Sequence, residues 1–256
     1  MNRTIALLTD FGQSDWFVAS MKGVILSVNP RAVIVDINHN IPSGGISAAA
    51  FNLLTCHLSF PKGTIFVAVV DPGVGSSRAA IAAKAGPYFF LGPDNGLLSP
   101  VIDNYCKPQF RVLINPKYLR KKVSLTFHGR DIFAPAAAHL SKGVAFEKLG
   151  PRIKDIVRLS MPMVCEKGKQ IAGSVIYIDH FGNAITNVPS SLITRRTKHV
   201  FIKGRKIPLL SCYADADEGE PLAVTGSCGF VEISVNKGNA AKMMKLKIGD
   251  KVEIIQ

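Results

Sequence analysis

Residues Phe66–Arg78, FVAVVDPGVGSSR, decide how the rest of the chain is read. The apolar run Ile65–Val70 reads as a buried strand that stops abruptly at Asp71 and enters the turn Pro72-Gly73-Val74-Gly75. In open α/β sheets, ligands gather at the carboxyl ends of the strands. A carboxylate at such a tip, followed by two turn glycines, is placed as a site residue would be. Arg78 comes seven residues later, near enough to fold back over the turn. The plainer alternative is an Asp that caps a tight strand-to-hairpin turn, with Arg78 solvated.

Working outward toward the N-terminus, Thr4–Leu8 is a short apolar strand ending in Thr9-Asp10-Phe11-Gly12, a second strand tip with a carboxylate. Phe17, Val18, Met21, Val24, Ile25 and Val28 then recur at helical spacing, with Ser14 or Asp15 as the expected cap and Asn29-Pro30 as the stop. Ala32–Ile37 reads as a strand and Ser47–Leu58 as an Ala-rich helix. The order β-α-β-α-β up to Val70 is the signature of a parallel sheet with helices on its faces.

Beyond Arg78 the pattern turns hairpin-like. Ala79–Ala83 and Tyr88–Leu91 read as paired strands, Leu97–Ile102 as a short helix, Phe110–Ile114 as a strand and Ile132–Ser141 as a helix closing at Lys142-Gly143. Around Gly150–Val164 periodicity is lost between Pro151 and Pro162, so the domain boundary is expected there: residues 1–160 as an α/β domain, 161–256 as a second one. In the second, Gln170–Asp179, Ser191–Ile202, Ile207–Leu210, Leu222–Thr225, Phe230–Val235 and Asp250–Ile255 read as short strands with regular turn signals, which suggests a small β-barrel or sandwich.

The chain has 256 residues, 47% of them apolar, enough for a core. No apolar run approaches the ~18–20 residues of a membrane span, and the stretch before Asp10 is too short for a signal-peptide core. A cytoplasmic protein is expected. The five cysteines are scattered without a CxxC, which argues against disulfides and zinc and for reduced thiols. The net charge of +13 could signal a polyanion partner. Yet the basic clusters, Lys117–Lys122 and Arg195–Lys198, are not interleaved with stacking aromatics, so nucleic acid is the lesser reading.

The polar clusters at element ends are Asp10, Asp71 with Arg78, Asp94-Asn95, His128 with Arg130, Asp179–Asn183 followed by Thr186-Asn187, and Thr225–Gly229 leading into Glu232. Each alone has a plain explanation: a core histidine at His128, a hairpin turn at Asp179–Asn183. GxSxG, HExxH, GxxxxGK[ST] and a full GxGxxG are missing, which counts against Ser hydrolysis, P-loop binding and dinucleotide binding. No Cys/His set has metal-ligand spacing, so no metal is expected.

Taken together, TDFG, DPGVGSSR, TFHGRD and DHFGNAITN resemble the S-adenosyl-L-methionine (SAM) hydroxide adenosyltransferases, or SAM hydrolases, relatives of the fluorinases and chlorinases. The resemblance runs from Thr9 to SCGFVEI and Gly238-Asn239-Ala240-Ala241. It implies an N-terminal α/β domain with a largely parallel sheet and a C-terminal β-barrel. It also implies a homotrimer with active sites between subunits. By resemblance, Asp71, Arg78 and His128 are the water-activating triad and Asp10 binds the ribose. Asp179 and Asn183 would contact the methionine amino group and the adenine, with Ser227 and Glu232 completing that half. The halogenases carry Tyr at the place of Asp71 and Tyr-Ser at the place of His128-Gly129, so this chain sides with the hydrolases. It departs from the family's usual pattern at Trp16 and Cys228.

The reaction implied is physically reasonable. Methionine leaves a sulfonium as a neutral thioether, so no acid need protonate it, and no metal, nucleotide or redox cofactor is required. The protein must place a water in line with ribose C5′, an orientation worth roughly 7–11 kcal/mol at best. Asp71 and His128 can each accept a proton. A carboxylate beside a guanidinium is a weak base, which favours His128 or a shared role. The alternatives are a SAM or adenosine sensor without turnover and a halogenase.

Overall fold

The computed structural model describes residues 3–256; Met1 and Asn2 lie outside the described residues. The chain divides into two compact units, one ending at Ser160 and one beginning at Met161.

The first unit is built on a seven-stranded sheet. Its strands are β1 (Thr4–Thr9), β2 (Val33–Asn38), β3 (Ile65–Val69), β4 (Ala80–Ala85), β5 (Tyr88–Pro93), β6 (Gln109–Val112) and β7 (Arg152–Ile153), in the order β2-β1-β3-β5-β4-β6-β7. β2, β1, β3 and β5 pair in parallel; β4 runs antiparallel to both of its neighbours, and β7 antiparallel to β6. The helices are α1 (Phe17–Val28), α2 (Ile46–Cys56), α3 (Ser99–Ile102) and α4 (Ala134–Ser141).

The two-residue period of a strand sends alternate side chains to opposite faces. Ile5, Leu7, Ile65, Val67 and Val69 pack with Met21 and Ile25 of α1 and the alanines of α4. Ala6, Leu8, Phe66, Ala68 and Val70 pack on the other face with Ala49 and Leu53 of α2 and Val101 and Ile102 of α3. Strands buried on both sides need apolar residues throughout, and β3 accordingly has all five residues buried.

From β1 the chain moves to β2 on one side and later to β3 on the other, so the winding direction reverses between β1 and β3. That reversal opens a crevice at the carboxyl ends of those two strands. In register, Thr9 pairs with Val69. Asp10 and Asp71 therefore leave the sheet side by side at the switch point.

The second unit is an eight-stranded antiparallel sheet rolled into a nearly closed barrel. Its strands are β8 (Cys165–Lys167), β9 (Gln170–Ile178), β10 (Ala184–Pro189), β11 (His199–Ile202), β12 (Arg205–Pro208), β13 (Pro221–Thr225), β14 (Phe230–Val235) and β15 (Lys251–Ile255). They follow the order β12-β11-β15-β9-β10-β14-β13, with β8 on β9. A single bridge between Leu209 and Ala223, with the Leu210 amide donating to the Ala223 carbonyl at 2.9 Å, joins the two ends. Val175, Ala184, Val188, Val200, Val231 and Ile233 are among its core residues. A short helix, α5 (Ala240–Met243), is capped by the Asn239 side chain.

Several local expectations are corrected. Neither Ser14 nor Asp15 caps α1: the cap position falls on Trp16, whose ring stacks on Phe17 at 4.5 Å. The strand expected over Ser191–Ile202 begins only at His199. Ahead of it the hydroxyls of Thr194 and Thr197 take backbone amides and hold a turn, the usual competition of Ser and Thr with a ladder. A strand not expected from the sequence, β10 over AITNVP, pairs with β9 on the side away from β15. The helix expected from Ile132 starts as a π-turn, Gly129–Phe133, before α4.

No helix among the described residues is long and apolar enough to cross a membrane. All five cysteines are unpaired.

Candidate active site

Asp71 sits two residues past the end of β3, and the tip is braced by Asn95, whose Nδ2 donates to the Val70 carbonyl at 2.9 Å. The turn that follows bends Arg78 back onto it. Arg78 Nε donates to Asp71 Oδ1 at 2.9 Å and its Nη2 donates to Oδ2, a two-pronged pairing that suits the fork of a guanidinium. Both side chains are almost buried, 5% exposed for Asp71 and 10% for Arg78. The same Nη2 reaches His128 Nδ1 at 2.6 Å. The structure thus brings Asp71, Arg78 and His128 together.

The contact with Arg78 sets the histidine tautomer. Guanidinium nitrogen only donates, so His128 Nδ1 accepts and the neutral ring carries its proton on Nε2. Burial pushes His128 below the ordinary imidazole value and Arg78 pushes it further, with Asp71 and Asp131 opposing in part. His128 is held neutral, with an N–H to offer at Nε2.

His128 lies at the entrance of the π-turn, a distortion that recurs at functional sites. A Cβ on Gly129 would lie 3.2–3.3 Å from Met21, Phe11 and Phe127, so the turn packs tightly under the aromatic cluster. Gly75 adopts φ +79°, and a side chain there would run into the Leu125 carbonyl. The Asp71 turn and the segment ahead of His128 are thereby in direct contact.

Asp10 stands at the neighbouring strand tip, with Oδ2 accepting from the Gly44 amide at 2.8 Å. The turn behind it is held from below. Buried Thr9 Oγ1 lies 2.8 Å from His39 Nδ1, and His39 Nε2 is 3.1 Å from Asp36. A cavity of about 520 Å³ opens over the switch point, lined by Asp10, Phe11, Phe17, Ser43, Gly44, Asp71, Pro72, Thr126 and Phe127. Next to it is a cavity of about 40 Å³ walled by Phe11, Val69, Asp71, Val74, Thr126, Phe127, His128 and Gly129. The larger space suits a small organic ligand. The smaller has room for a water between polar groups.

The remaining first-unit candidates have structural roles. Asp94 Oδ1 accepts from the Val157 amide at 2.8 Å and Asn95 supports the Asp71 tip. Arg130 pairs with its neighbour Asp131.

In the barrel, Asp179–Asn183 is the β9–β10 hairpin turn. The Asn183 amide donates to Asp179 Oδ1 at 2.8 Å and its Nδ2 to Oδ2 at 2.9 Å. Gly182 adopts φ +89°, with the Asn239 side chain where a Cβ would sit, and the Ala241 amide donates to the Gly182 carbonyl at 2.8 Å. The GNAA segment therefore buttresses that turn. Ser227 is exposed in the β13–β14 turn. Glu232 on β14 is 6% exposed and accepts from Tyr213 Oη at 2.6 Å and Ser234 Oγ at 2.9 Å. Burial and the Glu232 carboxylate push the Tyr213 phenol up, keeping it a donor. Tyr213 escaped the sequence reading; its only signal is a lone aromatic in a polar loop.

Among the described residues no cluster of His, Cys, Asp and Glu has the geometry of a metal site.

The chain is similar to known proteins over nearly its whole length. Residues 5–150 match the SAM hydroxide adenosyltransferase N-terminal domain and residues 173–253 its C-terminal domain. An (R)-S-adenosyl-L-methionine hydrolase from Thermus thermophilus is 37% identical, covering 99% of this chain and 100% of its own. A fluorinase from Actinoplanes is 27% identical, with 97% and 96% covered. A crystal structure of an uncharacterized conserved protein from Thermotoga maritima superposes with a TM-score of 0.93 at 37% identity, covering 98% of this chain and 100% of that one. With both of its units matched and full-length relatives above 30% identity, the chain belongs to the SAM hydroxide adenosyltransferase family.

Proposed function

We propose that the chain hydrolyses SAM to adenosine and L-methionine by attack of water on ribose C5′. The observation that carries this reading is the small cavity between Asp71 and His128, set against the larger one that Asp10 lines. It is supported by the hydrolase relatives at 34–37% identity over nearly the whole chain.

In this scheme a water in the small cavity accepts the His128 Nε2 hydrogen and donates to Asp71, leaving a lone pair to face C5′. The C5′–O bond forms as the C5′–S bond breaks, and the bonding pair leaves with methionine sulfur. The oxygen, now positively charged, is strongly acidic, so the Asp71 carboxylate takes the proton. The sequence favours His128 or a shared role as acceptor; in this scheme the acceptor is Asp71, a choice supported by the engagement of His128 Nδ1 with Arg78, which leaves the ring hydrogen on Nε2. Asp10 accepts from the ribose hydroxyls.

The family resemblance extends the reading to Asp179, Asn183, Ser227 and Glu232 as contacts for the methionine and adenine ends. It likewise extends it to a cytoplasmic homotrimer whose subunits share sites. A halogenase is disfavoured, since a halide would meet the Asp71 carboxylate in the small cavity.

The test is incubation with a mixture of both sulfonium epimers in ¹⁸O-water, with chromatography and mass spectrometry. Adenosine carrying ¹⁸O at O5′, formed in step with methionine, supports the proposal, and the surviving epimer gives the preference. Intact SAM alongside tight adenosine binding would make the protein a sensor. Light scattering decides the trimer.

A further inference from the structure

Beside the triad is a buried carboxylate that none of these steps uses. Asp131, three residues after His128, has no exposed surface. Its Oδ1 accepts from Arg130 Nε at 2.7 Å, and its Oδ2 accepts from Arg130 Nη2 at 3.0 Å and from the Ser124 amide at 2.8 Å. Arg120 Nε is 3.4 Å from Oδ1, and the Arg120 amide donates to the Asp131 carbonyl at 3.0 Å. Both ends of the segment 120–124 are therefore tied to one residue.

Between those ties the chain is open to solvent. Arg120, Lys121, Lys122 and Val123 are exposed, as is Leu125 just beyond. Next, the Leu125 carbonyl rests on Gly75, and Thr126 and Phe127 form a wall shared by both cavities. The Arg130 guanidinium, fixed by Asp131, lies 5.0 Å over the Phe127 ring. A carboxylate is costly to bury unless its lone pairs are satisfied. Burial alone would raise Asp131, yet the hydrogen bonds from Arg130 and Ser124 outweigh it and hold the acid below its ordinary value. Such an investment at a residue with no contact to either cavity calls for a role in what it holds.

We propose that Asp131 is a positioning residue that fastens residues 120–127 as a strap, and that the nucleoside half of the substrate binds against Thr126 and Phe127 only while this strap is fastened. The ligand part rests on the SAM hydrolase reading; the strap itself does not.

The strap carries its own reporter. Arg120, Lys121 and Lys122 are trypsin sites, and cleavage there under native conditions reads local opening against the global melt. Asp131→Asn keeps the size and removes the charge. Cleavage after residues 120–122 is expected to accelerate about tenfold or more, the change that losing one hydrogen bond to a charged group produces. Adenosine affinity should fall about tenfold, with KM rising more than kcat falls. Arg130→Ala removes two of the bonds at a side chain that is 28% exposed, and it carries the same test where Asp131→Asn does not fold. Wild-type cleavage rates and adenosine affinity in the folded variants would overturn the proposal. So would a fall in kcat with KM and adenosine affinity unchanged, which would make Asp131 a partner of His128 alone. If the wild type did not hydrolyse SAM while Asp131→Asn still released the strap, only the hydrolase reading would fall.

Discussion

Asp71→Asn is the most informative substitution, because it changes charge and hydrogen bonding while preserving shape. An asparagine oxygen can still accept from Arg78 Nε, but its NH₂ then faces Nη2, donor against donor. With both partners nearly buried, bulk solvent does little to screen the mismatch. Breaking a buried ion pair by removing one member costs about 3–5 kcal/mol. That is a large part of the ~5–15 kcal/mol that holds a typical domain together, yet it leaves a folded protein. At about 2–4 °C per kcal/mol for a unit of this size, the melting temperature should drop by roughly 6–20 °C. Below the new transition, loss of the proton acceptor should lower kcat about 10²–10⁴-fold. Adenosine affinity should change far less, since Asp10 and the aromatic wall remain. The assays are a thermal melt, calorimetric titration with adenosine, and chromatographic turnover of SAM. A folded Asp71→Asn protein with kcat within tenfold of wild type would refute the acceptor role. A negligible drop in melting temperature would refute the energetic account of the pair.

Four further expectations follow from particular contacts. His128→Gln can present an N–H near the Nε2 position, whereas His128→Asn keeps only the acceptor for Arg78. The Gln variant should retain more turnover and the Asn variant should lose about 10²-fold or more; equal losses would count against the Nε2 donor. In the wild type, the acid limb of kcat/KM should lie below the ordinary imidazole value, because burial and Arg78 keep His128 neutral, and a limb above pH ~6.5 would contradict this. Burial also lowers His57 and His139, the latter helped by Lys142 and Lys117. The unfolded chain then binds more protons than the folded one between their folded values and the ordinary value. Stability should therefore fall as pH drops below ~6.5, and a melting temperature flat or rising from pH 7 to 5 would show otherwise. Finally, Tyr213→Phe leaves the buried Glu232 carboxylate short of one hydrogen bond and should cost about 1–3 kcal/mol in denaturant unfolding; an unchanged midpoint would place Glu232 in contact with water.

Much of the first unit was legible because burial on both faces of a parallel sheet writes uninterrupted apolar runs. The abrupt ends of those runs, at Asp10 and Asp71, mark where backbone leaves the core. Arg78 was legible as a partner because seven residues of Gly-rich turn can bring it back. The π-turn at Gly129 was not, since it arises from tertiary packing of Met21, Phe11 and Phe127 around a residue without a side chain. β10 was hidden because Thr186 and Asn187 look like turn residues, while in the barrel Thr186 Oγ1 donates to the Val231 carbonyl and Asn187 Oδ1 takes the Ser174 amide. Tyr213 and Glu232 meet across 19 residues of sequence, with no period to announce them. The Arg78–His128 contact, which decides the tautomer, joins residues 50 apart in sequence and is made only by the fold.

The register that sets Thr9 opposite Val69 has a consequence for heat resistance. Asp10 and Asp71 lie one and two residues beyond the paired ends of adjacent parallel strands, so both are anchored to backbone held at the ~4.8 Å pitch of the sheet. Substitutions in the surrounding loops can retune which molecule is admitted without disturbing the spacing of the two acids. The strand ends that carry the two acids part only when β1 and β3 separate, which is the unfolding of the unit itself. Irreversible loss of the two-carboxylate floor should thus coincide with the calorimetric transition and not precede it.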